Sequence, residues 1–237
     1  MPLAHAGSGQ PSNTPCRLPA HMHKTVTVDM GESVLEHNRA LARANREHLK
    51  EHGVRAFDFL GAVGSGKTML IERLADVLKA QGLQVGAIAG DVAGDDDYRR
   101  FRKKGIRAAN VNTGKECHLD AHLVEHALEE LDLMKIDVLF IENVGNLVCP
   151  ADFPLGAERR VVVISTTEGD DMVRKHPAIF RDADVCVLNK VDLASAVDVD
   201  PKVLERDFRK LNKHAPFIFT NAKKGEGVDE LLKALMG

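Results

Sequence analysis

Three glycines, a lysine and two hydroxyls stand close together in Gly61-Ala62-Val63-Gly64-Ser65-Gly66-Lys67-Thr68. Glycine at 61, 64 and 66, with Ser65 between the last two, lets the backbone curl until successive N–H groups face one point. A helix starting there adds its dipole, so the segment suits a phosphate. Lys67 has the reach for the β- and γ-phosphates of a nucleotide, and Thr68 brings a hydroxyl suited to Mg²⁺. The apolar run Ala56, Phe57, Phe59, Leu60 ahead of the segment reads as a buried strand, and Met69 to Leu78 behind it as a helix. Strand, glycine-rich loop and helix in that order form the setting of a P-loop.

A second segment bears on which nucleotide is held. The apolar strand Val185 to Leu188 runs into Asn189-Lys190-Val191-Asp192, the N-K-x-D arrangement by which GTP-binding proteins select guanine. A carboxylate at Asp192 can accept from both the ring N1–H and the exocyclic amino group of guanine. Adenine has no such donor pair on that edge and leaves a charged acceptor unpaired, which disfavours an ATP-dependent kinase. Asn189 can bond the base and the P-loop, and the Lys190 stem can cover the ring. Thr220-Asn221-Ala222-Lys223 follows the last strand, where a backbone N–H, expected at Ala222, meets guanine O6. GTP and GDP are the expected ligands. For Mg²⁺, Asp91 follows the strand Val85 to Ala89, and Glu142 closes the strand Val138 to Ile141. Either acid could instead cap its loop. Gly145 is placed to give its N–H to the γ-phosphate, which makes Lys67, Thr68, Asp91, Glu142 and Gly145 the expected hydrolytic set. Asp95 to Asp97 read as caps of the next helix. No glutamine or arginine is assignable to the attacking water, so slow turnover is expected.

Softer donors sit between and beside these loops. Cys117 and His118 are contiguous, and Cys149 lies seven residues beyond Glu142. Thiolates and imidazole suit Ni²⁺ or Zn²⁺, whereas Mg²⁺ wants oxygen, so these residues would form a separate site. Adjacent residues do not easily chelate one ion alone. Three ligands from one chain also leave a tetrahedral site open, so pooling Cys117, His118 and Cys149 from two subunits across a two-fold axis is one completion. Spacing alone leaves an equal alternative, since free cysteines are commonly small core residues. His118, His122 and His126 recur at four-residue intervals beside Glu125 and Glu129 and read as a solvated polar face, with His122 as a possible extra ligand. Cys186 lies within an apolar strand and reads as core.

Positioning these loops requires a sheet. Apolar tracts at 55–60, 85–89, 107–111, 138–142, 159–165, 185–189 and 216–220 alternate with amphipathic stretches. That pattern predicts an α/β P-loop NTPase fold, a mostly parallel, doubly wound sheet flanked by helices, with ligands beyond the carboxyl ends of its strands. Three regions follow: a disordered tail over 1–24, which holds four of the nine prolines, an N-terminal amphipathic helix over 25–53, and the P-loop GTPase domain over 54–237. In the helix, Val34, Leu35, Leu41, Ala42 and Leu49 supply the apolar positions. A net charge of −3 gives no reason to expect nucleic acid, and the basic run from Arg99 to Arg107 reads as a solvated helix face. No stretch approaches the roughly 20 apolar residues of a membrane span, the first residues lack a signal-peptide pattern, and four scattered cysteines make no disulfide framework. The chain therefore reads as cytoplasmic and not bound to a membrane.

At these motifs the sequence resembles the HypB family, GTPase accessory proteins for nickel insertion into [NiFe] hydrogenases. The match runs in order through GAVGSGKT, GDVAGDDD, NTGKECHLDAH, IENVGNLVCP, TEGDD and NKVDL, of which NTGKECHLDA and ENVGNLVCP are the specific parts. The resemblance implies a SIMIBI-class GTPase that forms a homodimer face to face with nucleotide bound. It implies Zn²⁺ or Ni²⁺ on Cys117, His118 and Cys149, a HypA-type nickel metallochaperone as partner, and the hydrogenase large subunit as client. Some members carry an N-terminal C-x-x-C-G-C site or a histidine-rich stretch, and here there is only Cys16 with scattered histidines. The related urease accessory GTPases carry a Cys-Pro-His run, unlike the contiguous Cys117 and His118. A regulatory GTPase switch without metal delivery, or a metal store with vestigial GTP binding, are the other readings.

Overall fold

The computed structural model describes residues 20–237, with side chains from residue 32 onward, so most of the expected tail lies outside the described residues. Helix α1 (Ala20–Glu51) begins ahead of the expected boundary at 25. The chain falls into two units, Met1–Val34 and Leu35–Gly237. The second is built on a seven-stranded sheet of β1 (Arg55–Leu60), β2 (Val85–Asp91), β3 (Arg107–Asn112), β4 (Val138–Glu142), β5 (Arg159–Ser165), β6 (Val185–Asn189) and β7 (Phe217–Phe219). The order is β3-β2-β4-β1-β5-β6-β7 and every pairing is parallel. Covering helices are α2 (Lys67–Ala80), α3 (Asp96–Lys103), α4 (Ala121–Glu129), α5 (Met172–Lys175), α6 (Pro177–Arg181), α7 (Pro201–Leu211) and α8 (Val228–Met236).

A parallel sheet needs both faces covered, which explains why its strands are apolar almost throughout. Alternate side chains go to opposite sides. Phe57, Phe59, Phe140 and Val163 face α2 and α8, through Leu70, Leu74, Leu231 and Leu235. On the other face Ile88, Leu139 and Ile141 meet Leu49 of α1 and Val124 of α4, while Leu60, Val162 and Leu188 meet α6 and α7. Cys186 is part of that second face, in the core as expected.

Strand β1 lies at the centre, with β4 and then β2 on one side and β5 and then β6 on the other. The chain thus leaves the middle of the sheet in both directions, and the crevice opened by such a switch point is where ligands bind. Loops after β1, β2, β4 and β6 meet there. No helix among the described residues is long and apolar enough to cross a membrane.

The buried stripe of α1 differs from the expected apolar one. Along Leu35–Glu51 it consists of Asn38, Ala42, Asn45 and Leu49, spaced as one helical face, whereas Val34 is exposed. Buried amides persist only when bonded. Asn38 Nδ2 donates to the Pro154 carbonyl at 2.9 Å and its Oδ1 accepts from Ala121 N at 2.8 Å. Asn45 Nδ2 donates to the carbonyls of Ala121 at 2.8 Å and Leu155 at 3.1 Å. The helix is therefore pinned by polar contacts to the two segments that follow His118 and Cys149.

Candidate nucleotide pocket and thiolate site

A cleft of about 650 Å³ opens at the carboxyl ends of the strands, bordered by Gly66, Thr68, Asp91, Asn143, Lys190 and Asp192. The N-K-x-D loop is locked onto the P-loop. Asn189 Nδ2 donates to the Ser65 carbonyl at 2.9 Å, and Lys190 Nζ donates to that of Gly64 at 2.7 Å. Gly66 has φ +104°, and a Cβ there would lie 2.2 Å from Asn189 Nδ2, so only glycine lets the two loops approach this closely. The Ala222 N–H, expected at guanine O6, donates to Asn189 Oδ1 at 3.1 Å, and Thr220 Oγ1 donates to the same oxygen at 3.1 Å. In this arrangement Asn189 works as the joint between the P-loop and the loop after β7.

Lys67 is buried, and its ammonium donates to the carbonyls of Gly61 at 3.0 Å and Ala62 at 3.3 Å. Desolvation lowers its pKa, opposed first by the charge of Glu142 and then by Asp97, Glu168 and Asp91. Thr68 Oγ1 lies 2.8 Å from Asp97 Oδ1 and 2.9 Å from Glu142 Oε1. A hydroxyl has one proton to give, so it serves one carboxylate at a time. Burial, reinforced by the Asp97 charge, pushes Glu142 up to about 8. Its Oε2 is buried without a partner among the described residues. Two carboxylates and a hydroxyl converging in this way are an all-oxygen donor set that fits Mg²⁺.

Asp97 was expected to cap α3, and the fold instead turns it into the pocket. Asp95 occupies the cap position with no side-chain capping bond and pairs with Arg99. Asp91 borders the cleft, with its Oδ1 accepting from Val92 N at 2.6 Å. Glu168 is a further acid that sequence reading did not single out. Burial raises it to about 7, and both its oxygens lack partners among the described residues. In the sequence it is an acid just past the apolar run of β5, inside the TEGDD segment that carries part of the family resemblance but to which no role was given. The basic run of α3 is solvated as expected, although Arg100 and Lys104 also bridge to Glu72 and Asp76 of α2.

The three soft donors come together within one chain. Suitable donor atoms of Cys117, His118 and Cys149 all lie within 4.8 Å of one another. Contiguity did not prevent this, since Cys117 Sγ and His118 Nδ1 are 4.0 Å apart. The two sulfurs are 2.7 Å apart, beyond the roughly 2.05 Å of a disulfide. Facing Cys149 raises the pKa of Cys117, and a divalent cation between them would reverse that. His118 packs on Phe153, with ring centroids 4.1 Å apart. His122 is not a member of the group; it pairs with Glu125, and His126 with Glu129, on the exposed face of α4.

This thiolate group rides on the P-loop. Gly145 sits so close to it that a Cβ would fall 2.3 Å from Val63 Cγ2 and 2.9 Å from Val63 N. Asn146 forms an isolated antiparallel bridge with Gly61. The same Asn146 donates through Nδ2 to the Cys117 carbonyl at 3.2 Å and accepts at Oδ1 from Val148 N at 2.9 Å. One residue thus touches the phosphate loop, the Cys117 loop and the approach to Cys149.

Fold and pocket together define a P-loop nucleotide-binding protein with soft-metal donors set against its phosphate loop. The chain belongs to the CobW/HypB/UreG nucleotide-binding domain family, whose pattern it matches over residues 56–219. It is 53% identical over 212 residues to the probable hydrogenase maturation factor HypB of Methanocaldococcus jannaschii, a match that covers 90% of this chain and 96% of the relative. The crystal structure of the hydrogenase maturation factor HypB from Archaeoglobus fulgidus superposes with a TM-score of 0.78 at 48% identity, covering 84% of this chain and 96% of that one. HypB from Helicobacter pylori in complex with nickel superposes with a TM-score of 0.80 at 34% identity, covering 84% and 93%.

Proposed function

We propose that this protein is a GTP-hydrolysing nickel metallochaperone that assists nickel insertion into the large subunit of [NiFe] hydrogenase. The observation that carries this reading is the convergence of Cys117, His118 and Cys149 on loops held to the phosphate loop through Gly145 and Asn146. Thiolates and imidazole give nickel, the cargo, a site of its own, apart from the oxygen donors of the pocket.

In the pocket, Lys67 exchanges the Gly61 and Ala62 carbonyls for the β- and γ-phosphates, and Asp192 selects guanine. Thr68, Glu142 and Asp97, with Asp91 beside them, hold Mg²⁺, which supplies charge neutralisation on the phosphates when bound. Gly145 offers its N–H to the γ-phosphate, so cleavage of that phosphate alters the loop that carries Cys149. The nucleotide state then sets metal affinity, and by linkage metal alters nucleotide binding.

Val63, Val92 and Val148, exposed at 83%, 41% and 60%, stand on the P-loop, on the loop after β2 and beside Cys149. Apolar side chains on loops around a pocket favour a GTP-dependent homodimer that covers this face. A second subunit would also complete the coordination of the ion. A nickel donor of the HypA type and the hydrogenase large subunit are the proposed partners.

The test is titration of Ni²⁺ and Zn²⁺ into the purified protein with a non-hydrolysable GTP analogue and with GDP, followed by sedimentation, in parallel with Cys117→Ala. Tighter metal binding and a dimer with the GTP analogue, both lost in the variant, are expected. Thiol-independent metal binding, or none, in both nucleotide states would leave a regulatory GTPase switch as the better reading.

A further inference from the structure

Strand β1 carries an ionisable group in a place built for apolar ones. Asp58 is only 1% exposed and lies between Phe57 and Phe59 at the centre of the sheet. A lone carboxylate there is unfavourable, and an apolar residue would serve the sheet as well or better. Its partners give it another use. Asp58 is in register with Arg160 on β5, with Asp58 Oδ2 3.9 Å from Arg160 Nε. The Arg160 guanidinium donates through Nη1 to the Ala151 carbonyl at 3.0 Å and through Nη2 to that of Pro150, the two residues directly after Cys149. On its other oxygen Asp58 accepts from Asn143 Nδ2 at 3.4 Å. Asn143 Oδ1 in turn accepts from Leu119 N, directly after His118, and from Val144 N, both at 3.0 Å.

From this geometry we infer that Asp58 and Arg160 are positioning residues that hold both halves of the thiolate site in register with the phosphate loop. The inference rests on the reading of Cys117, His118 and Cys149 as a metal site. One carboxylate braces the His118 side through a single asparagine and the Cys149 side through a single arginine. Gly61, three residues further on and directly after the end of β1, opens the phosphate loop. Because β1 is paired on both sides within the sheet, it is a fixed reference for all three segments. The brace also has slack. Asp58 Oδ2 and Arg160 Nε are both buried without a hydrogen-bond partner among the described residues and face one another. A shift of about 1 Å would bring them to charge-assisted hydrogen-bond distance and draw the Pro150–Ala151 segment with the guanidinium.

The experiment uses the full-length protein as Asp58→Asn and as Arg160→Lys, with Cys149→Ala as reference. For each, Ni²⁺ and Zn²⁺ are titrated with a non-hydrolysable GTP analogue and with GDP, alongside affinity for a fluorescent GTP analogue and thermal melts. Nucleotide affinity within about twofold of the parent is expected, with metal affinity in the GTP-analogue state reduced about tenfold or more, as when partners behind a metal ligand are removed. The difference between the two nucleotide states should shrink in parallel. Lysine keeps the charge beside Asp58 but cannot span two carbonyls, so Arg160→Lys decides the matter if Asp58→Asn does not fold. Parental metal affinities in a folded variant would overturn the inference, and so would a loss of nucleotide affinity matching that of metal, which would mean general damage to β1. If the parent shows no Cys149-dependent metal binding, the reading of the thiolate site fails first and the role of the pair with it.

Discussion

At the scale of single residues, the pocket works through groups whose partners force one role on them. Asp192 borders the cleft on a loop tied to the P-loop by Asn189 and Lys190. Replacing its carboxylate by an amide should move preference from GTP toward xanthosine triphosphate by about tenfold or more, because the base must now accept where guanine donated. Competition binding with both nucleotides checks this. Asp58 yields a prediction of another kind. Burial raises it to about 6 from an ordinary 3.8, against the pull of Arg160 and the Asn143 hydrogen bond. The folded protein therefore holds this proton more tightly than the unfolded chain. Its contribution to stability is complete below about pH 4 and is lost as pH rises through about 6, amounting to on the order of 3 kcal/mol. Denaturant melts from pH 4 to 8 should show this part of the slope in the parent, and Asp58→Asn should remove it. An unchanged slope would mean that folded and unfolded chains bind the Asp58 proton equally, with no upward shift on folding.

At the scale of elements, the strands were legible because a parallel strand buried on both faces is written as a short apolar run. The periodicity of α1 was legible too, yet its buried face was not, because two of its four inward positions are asparagines. A polar residue on a helix reads as solvent-facing unless its partner is known, and here the partners lie 76 to 116 residues away. Asn45→Ala should cost about 1–3 kcal/mol, since it leaves the buried carbonyls of Ala121 and Leu155 without this donor. The same change frees the segments after His118 and Cys149, so faster alkylation of Cys149 is expected alongside the lower melting temperature. A melting change with unaltered thiol reactivity would confine Asn45 to a role in stability. Asp97 makes a similar case: three consecutive acids at the start of a helix look alike in sequence, and only the packing of α3 turns the third toward Thr68.

At the scale of the whole molecule, the sheet order brings the loops after β1, β2, β4 and β6 to one edge, and the exposed valines at 63, 92 and 148 are on loops at that edge. Val148→Glu should leave the fold and nucleotide binding intact while weakening dimerisation in the presence of a GTP analogue by about tenfold or more, because a charge is buried against a partner copy. Sedimentation at several protein concentrations measures it. A dimer of parental strength would place the interface away from this loop.

Contiguous residues were enough for the phosphate loop, the N-K-x-D segment, the strand tracts and the hydrogenase-accessory resemblance, since each is a local pattern that a single strand, turn or helix must carry in order. The grouping of Cys117 and His118 with Cys149 was also expected from the sequence, and the structure brings the three together within one chain. What the tertiary structure alone decided is how other polar groups far apart in sequence meet: Asn38 and Asn45 with the segments behind them, Ala222 with Asn189, and Asp58 with Arg160 and Asn143. A buried polar side chain takes its role from whatever lies opposite, and the order in which strands and helices pack side by side determines what that is.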